Sequence, residues 1–230
     1  MVLGRGLVAR GFKSYLEDEN YLVFASGVSN SFNTDANAFA KEGELLKQAM
    51  TTHRNKTLIY FSTCSIYDPS LRESPYVRHK LEMEGVISRG HANYHIFRIS
   101  NLVGKTDNPH TVLNFFVRHI RSGQPFRVWK NAARNIIDID DAVAICDHII
   151  RNKLFPNTWV NVANTENYPV LQIIHTIEET LGKKGNYELT DAGNNPIIDT
   201  SLIREIVHKL HLSFDDHYLT RTLRKYYTRQ

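Results

Sequence analysis

Two cysteines in 230 residues are too few to staple a fold. Cys64 and Cys146 lie far apart, which leaves no disulfide framework and no metal-ligand spacing, and this suits a reducing cytosol. No apolar run approaches the roughly 20 residues needed to cross a bilayer, so no membrane partner is expected. The opening Met1-Val2-Leu3-Gly4-Arg5 is too poor in apolar residues for a secretory signal, and the expected location is the cytoplasm. Glycine and proline are sparse, at 12 and 7 residues. There is no low-complexity stretch, internal repeat or long linker, which points to one large domain or one domain with a small C-terminal lobe. Excess charge is also slight, at +4. Part of it is the tail Arg221, Arg224, Lys225 and Arg229, which reads as a solvated helix end before it reads as a nucleic-acid patch. No nucleic-acid partner is expected, whereas a modest positive balance suits a phosphorylated ligand.

What the chain does have is an alternation of strand-like and helix-like segments, the mark of an α/β protein with a mostly parallel sheet flanked by helices. Met1–Leu3 is a strand stub that runs into Gly4-Arg5-Gly6, and Leu7–Leu16 reads as a helix. Apolar strands follow at Tyr21–Ala25, Leu58–Phe61, Tyr94–Arg98 and Trp159–Val162, with helices at Asp35–Met50, Thr111–Ser122, from Asp140 or Asp141 to Ile150, and at Pro169–Leu181. Ser74 and Pro75 mark a helix start, as N-cap and first helical residue, and Gly90 is its stop. Beyond Gly182 the pattern is short and mixed, with helices near Ser201–Leu210 and Asp216–Tyr227. Residues from about 165 onward read as a small cap against the carboxyl edge of the sheet.

Chemistry is concentrated in Tyr76-Val77-Arg78-His79-Lys80. Four residues of helix put Tyr76 and Lys80 on one face, one turn apart. An ammonium beside a phenol favours the phenolate, and a phenol so tuned can exchange a proton with a sugar hydroxyl. The spacing alone is also met by an exposed helix pair. Its context is Tyr60-Phe61-Ser62-Thr63-Cys64-Ser65-Ile66-Tyr67, an apolar strand that ends in hydroxyls. Strand carboxyl ends are where open α/β sheets bind ligands, and Thr63 can bond the substrate oxygen that Tyr76 protonates.

Phe61-Ser62-Thr63 with Ile66-Tyr67, then Glu73, Pro75-Tyr76 and Lys80, resembles the extended short-chain dehydrogenase/reductase family of sugar-nucleotide epimerases, dehydratases and reductases. The resemblance continues in order through Ala25-Ser26-Gly27, Arg98–Gly104, Arg134–Asp141, Asn161-Val162-Ala163 and Asp199-Thr200-Ser201. It implies a Rossmann-like fold, with residues 1–164 as the cofactor-binding core and 165–230 as a substrate-binding lobe. It further implies Thr63, Tyr76 and Lys80 as the catalytic set, Lys80 also holding the nicotinamide ribose and lowering the Tyr76 pKa. Ala25, Ser26, Gly27 and Ser62 would line the cofactor. Thr63, Ser65, Asn101 and Arg134 would meet the sugar nucleotide, Arg134 at the diphosphate. Asn101 as a turn cap and Arg134 as a surface arginine remain open alternatives. Pairing through the helix of Tyr76 and the helix before it implies a homodimer, although Leu45, Leu46, Leu81 and Val86 would serve a monomer's core equally well.

The chain departs from the family at its start. Gly4-Arg5-Gly6-Leu7-Val8-Ala9 is a Gly-x-Gly-x-x-Ala loop before a helix, a cradle for a pyrophosphate on Gly4, Gly6, Leu7 and Val8. Only about 20 residues then separate Gly4 from Ala25, too few for the usual second and third strands, so a reduced sheet with an exposed adenine end is expected. Arg5 and Arg10 flank the loop. Arg10 sits where some family reductases place an arginine for a 2′-phosphate, so NADP is favoured over NAD, against the alternative of a solvated arginine. Dehydratases of the family carry Thr-Asp-Glu at the strand end. Here Thr63-Cys64-Ser65 has no acid pair, which argues against 4,6-dehydration and leaves 4-keto reduction or epimerisation, expected in surface-polysaccharide synthesis. Cys64 reads as a small residue filling a tight strand end. The rival expectation is a non-catalytic descendant that binds a nucleotide sugar or a protein.

Overall fold

The computed structural model describes residues 1–228; Arg229 of the basic tail lies outside them. In chain order the elements are β1 (Val2–Leu3), α1 (Leu7–Gly11), β2 (Tyr21–Phe24), α2 (Ala36–Thr52), β3 (Thr57–Thr63), α3 (Pro75–Gly90), β4 (Tyr94–Ile99) and β5 (Asn101–Val103). There follow α4 (Val112–Ser122), β6 (Phe126–Trp129), β7 (Ala133–Asp138), α5 (Ile139–Arg151), β8 (Thr158–Val162) and β9 (Asn167–Pro169). The chain ends with α6 (Val170–Leu181), β10 (Tyr187–Thr190), α7 (Arg204–Lys209) and α8 (Tyr218–Tyr227).

Five strands form a wholly parallel sheet in the order β1-β2-β3-β4-β8. Successive residues face opposite sides. Val23, Ile59 and Phe97 pack on one face with Ile145 and Ile149 of α5. Leu22, Tyr60 and Ile96 pack on the other with Leu46 of α2 and Ile87 of α3. Burial on both faces is why these strands read as continuous apolar runs. Each fully buried Leu or Ile contributes about 1.5–3 kcal/mol over its exposed state.

β1 pairs directly with β2, Val2 beside Val23 and Leu3 beside Phe24, so among the described residues the sheet ends at β1. The reduced Rossmann-like sheet is the one expected: no strand follows α1 before β2. The first helix is shorter than its periodicity suggests. It stops at Gly11, and a 3-10 turn over Lys13–Tyr15 follows. The break brings Phe12 and Tyr15 into the same core, with ring centroids 5.8 Å apart and Phe12 packed on Phe61. Gly11 itself lies against Val143 of α5, where a Cβ would come within 2.6 Å of a valine methyl.

A second core joins α4 (Leu113, Phe116, Ile120), α6 (Ile173, Ile174, Ile177) and α8 (Leu219, Leu223). Two small sheets border it, β6 with β10 and β5-β7-β9. Ile203 and Ile206 pack back on the first core, so the chain crosses between the two. The short strands β5, β7, β9 and β10 carry no alternation of their own, whereas β6 alternates, with Phe126 and Val128 buried and Arg127 and Trp129 exposed. β7 exists because β5 pairs with it in parallel on one side and β9 antiparallel on the other. The cap of α5 is Asp138, whose carboxylate accepts from the Asp140 amide, and not Asp140 or Asp141 as expected.

Candidate active site

The site forms where β3 ends and α3 begins. β3 runs apolar to Thr63, whose hydroxyl accepts from the Ser65 amide at 3.0 Å and caps a 3-10 turn over Cys64–Tyr67. Thr63 also donates to Ser65 Oγ at 2.9 Å. The helix start is the one anticipated: Ser74 Oγ accepts from Val77 N at 3.2 Å and Pro75 is the first helical residue. That start sends Tyr76 and, one turn on, Lys80 into the interior, where both are buried. Thr63 and Tyr76 meet there. Burial pushes the Tyr76 phenol up to about 12, with the Thr63 hydroxyl pulling the other way and the Glu42 carboxylate reinforcing the rise. The expected lowering of Tyr76 by Lys80 is therefore not what the site shows.

The reason lies in what Lys80 touches. Its ammonium donates to Glu42 Oε1 at 2.9 Å, to Tyr60 Oη at 3.2 Å and to the Phe61 carbonyl at 3.4 Å. Glu42 Oε1 also accepts from Tyr60 Oη at 2.7 Å, and Oε2 from the Val28 amide at 2.6 Å. His79 Nε2 stands 3.1 Å from Oε2, its ring stacked on Phe39. Burial would raise the Glu42 carboxyl, but Lys80, the Val28 amide and Tyr60 together hold it below the usual carboxylate range. Burial draws Lys80 below its usual value, with Glu42 opposing.

Glu42 carries no family motif. Its signal is positional: with Leu46, Ala49 and Met50 it falls on the buried stripe of α2, where a carboxylate needs partners. Glu84, in phase with Lys80 and Ile87 on α3, is a second such case. It accepts from Ser62 Oγ at 2.5 Å and from Arg98 Nε and Nη2 at 3.0 and 2.6 Å. Ser62, expected along the cofactor, is thus tied into the interior beside α3. The guanidinium of Arg98 lies 4.0 Å over the Trp159 ring and donates to Tyr67 Oη, which donates to Asn161 Oδ1. Cys64 is buried, its thiol pushed up by desolvation and donating to the Arg98 carbonyl, as a space-filling residue should be.

The glycine loop sits against the end of β2. Gly4 has φ +132°, and a Cβ there would lie 2.3 Å from the Ala25 carbonyl oxygen, so only glycine lets the loop meet Ala25. Gly6 faces open space. Leu7 and Val8 begin α1, a helix of five residues with little dipole to offer a phosphate. Arg10 donates to the Lys105 carbonyl at 2.8 Å and to the Arg5 carbonyl at 3.3 Å, which anchors the loop to the end of β5. Ser26 and Gly27 are exposed at the end of β2, and a Cβ on Gly27 would lie 2.7 Å from Lys80 Nζ. Bare backbone therefore covers the Lys80–Glu42 pair. This half of the site offers a nicotinamide nucleotide the exposed backbone of Ser26 and Gly27 and the hydroxyls of Thr63 and Tyr76, whereas Lys80, expected to hold its ribose, lies beneath Gly27 with its ammonium turned to Glu42, Tyr60 and the Phe61 carbonyl. Beyond β1 no strand of the described residues faces an adenosine.

The two remaining candidates lie on the small sheet. Asn101 donates from Nδ2 to the Asn135 carbonyl at 2.8 Å, joining β5 to β7. Arg134, on β7, is largely covered and lies 3.7 Å from Asp68, just past the turn that Thr63 caps. Burial pulls its guanidinium down, with Asp68 opposing. Among the described residues no cluster of His, Cys, Asp and Glu could hold a metal, and no helix is long and apolar enough to cross a membrane.

No curated protein sequence matches the chain. Similar folds include the UDP-glucose 4-epimerase of Thermus thermophilus in complex with NAD, at 16% identity and TM-score 0.64, with 88% of this chain and 75% of that one covered. The UDP-glucuronic acid 4-epimerase of Bacillus cereus in complex with NAD has 16% identity and TM-score 0.69 over 96% and 74%. RMD from Pseudomonas aeruginosa complexed with NADPH has 15% identity and TM-score 0.68 over 97% and 87%. At such identities these likenesses establish the fold. The family itself rests on the sequence: residues 18–163 match the model of the NAD dependent epimerase/dehydratase family. The chain belongs to the NAD-dependent epimerase/dehydratase family.

Proposed function

We propose that the protein is a nicotinamide-dependent oxidoreductase acting on a nucleotide-activated sugar, by 4-keto reduction or epimerisation, in surface-polysaccharide synthesis. The observation that carries this reading is the meeting of Thr63 and Tyr76, with Lys80 one turn behind, at the carboxyl ends of parallel strands. The loop of Gly4 and Gly6, the strand end Ala25–Gly27 and Tyr76 would hold the cofactor, which when bound supplies or accepts a hydride. Thr63 orients the substrate oxygen and Tyr76 exchanges its proton. Arg134, which donates to the Ala133 carbonyl at 2.8 Å and lies 3.7 Å from Asp68, would meet the diphosphate, a stronger acceptor than one carboxylate at that distance. Exposed Leu45 and Leu81, on α2 and α3, support pairing of two chains through those helices.

The reduced sheet favours one rival, a binding module without turnover. Thermal melting with NADH and NADPH separates the two. Stabilisation by either nucleotide, about 2.7 kcal/mol at one hundred times its Kd, is the expected result. No shift at millimolar nucleotide favours the binding module. Net consumption of reduced cofactor with a 4-keto-6-deoxy sugar nucleotide then identifies a reductase, and isomer exchange without net consumption an epimerase.

A further inference from the structure

We propose that the loop after β5 is a second wall of the nucleotide site, in which Lys105 and Arg5 meet the diphosphate and Arg10 positions them. This rests on the nicotinamide-dependent reading and adds side chains to its cofactor site.

A diphosphate brings negative charge to the glycine loop, and the backbone there has little to set against it. α1 is five residues long, too short to offer an anion site of its own. Among the described residues no strand lies beyond β1 to close the site from that side. Compensating charge has to come from side chains.

The loop after β5 is held against the glycine loop in two places. Leu7 packs on Gly104, where a Cβ would lie 2.7 Å from a leucine methyl. Arg10 reaches across from α1 and donates to the Lys105 carbonyl at 2.8 Å and to the Arg5 carbonyl at 3.3 Å. Its own amide donates to the Gly6 carbonyl at 3.1 Å, one helical turn back, so the guanidinium returns over the start of that turn. Asn114 of α4 fixes the far side of the same loop, donating to the Thr106 and Asn108 carbonyls at 3.0 and 2.7 Å.

Two carbonyls use only part of the donor set of a guanidinium, and they carry no formal charge to cancel it. Arg5, Arg10 and Lys105 are all exposed, and among the described residues none pairs with a carboxylate. Asp107, the one acidic residue of the loop, is exposed and likewise unpaired. One side chain thus draws together the backbone of three cationic residues beside Gly6, whose Cβ position faces open space. Cations gathered without a counter-ion favour an anion, and a guanidinium already anchored at two carbonyls gives up little rotamer freedom in holding the wall. Because the anchor lies at the glycine turn itself, the cations serve the diphosphate common to NADH and NADPH rather than a 2′-phosphate.

Calorimetric titration with NADH, NADPH and ADP tests this. The Lys105 side chain is exposed, so Lys105→Gln should melt like the wild type. It should bind all three nucleotides about tenfold more weakly, the loss of one charge-assisted contact. Arg10→Gln should weaken them at least as much, and the double variant by less than the product of the two factors, because Arg10 acts through Lys105. Raising salt from about 0.05 to about 0.5 M should weaken the wild type more steeply than Lys105→Gln. A loss confined to NADPH would assign the cations to a 2′-phosphate, and unchanged affinities in Lys105→Gln would leave the wall without a role; either result overturns the proposal. Binding of ADP but of neither dinucleotide would remove the nicotinamide-dependent reading and leave the wall standing. A wild type that binds none of the three removes both.

Discussion

Lys80 Nζ lies 2.9 Å from Glu42 Oε1, and the two side chains are 3% and 1% exposed. An ion pair so deeply covered gives up several kcal/mol of hydration per charge, which only close geometry and further hydrogen bonds offset. Glu42 has them in Tyr60 and Val28, and Lys80 in Tyr60 and Phe61. The pair links α2, α3, β3 and the end of β2 at one point under the candidate site.

Breaking that pair from one side should therefore cost more than removing it whole. Lys80→Met leaves a buried carboxylate without its ammonium and should lower stability by about 3–5 kcal/mol in urea unfolding. The double variant Lys80→Met, Glu42→Gln should recover a large part of this. Equal losses in the two proteins would mean that the charges do not interact energetically.

The same carboxylate sets an acid limit. Glu42 titrates lower in the folded chain than in the unfolded one. Its contribution is fully present above about pH 4.3, the unfolded glutamate value, and is lost as pH falls through the folded value. Melting temperatures followed from neutral pH downward should fall less steeply below about pH 4.3 in Glu42→Gln than in the wild type.

Tyr76→Phe removes the proton that the site would pass to a substrate oxygen beside Thr63. Turnover should fall by about 10²–10⁴-fold. Nucleotide affinity, measured by calorimetry, should stay close to that of wild type because the glycine loop and the Ala25–Gly27 strand end are untouched. Undiminished turnover would take Tyr76 out of the chemistry.

Two glycines two residues apart should respond differently. Gly4→Ala forces a side chain onto the Ala25 carbonyl at a φ of +132° and should destabilise the fold by at least about 1–3 kcal/mol. Gly6→Ala meets nothing within 4 Å and should melt like the wild type while binding nucleotide more weakly, since its methyl would occupy the face offered to a phosphate. Melting curves and nucleotide titrations of the two proteins check both statements.

Much of this site is legible in the amino acids themselves. Ser74-Pro75 starts α3 through local capping, and the helical period then places Tyr76 and Lys80 on one face. An apolar run ending in Ser62-Thr63 marks the ligand edge, and the short span from Gly4 to Ala25 leaves no length for two further strands. These are local rules, satisfied within a few residues of chain.

What only the tertiary structure decides is where the charges go. Glu42 and Lys80 are 38 residues apart in sequence, Ser62 and Glu84 22, and Asn101 and Asn135 34. The small strands β5, β7 and β9 likewise exist through one another. The sequence by itself determined that Tyr76 and Lys80 share a helix face at the end of a parallel strand. Folding decided that Lys80 answers to Glu42, because a buried ammonium takes the nearest carboxylate that the packing of α2 on α3 provides, and no local pattern encodes that approach.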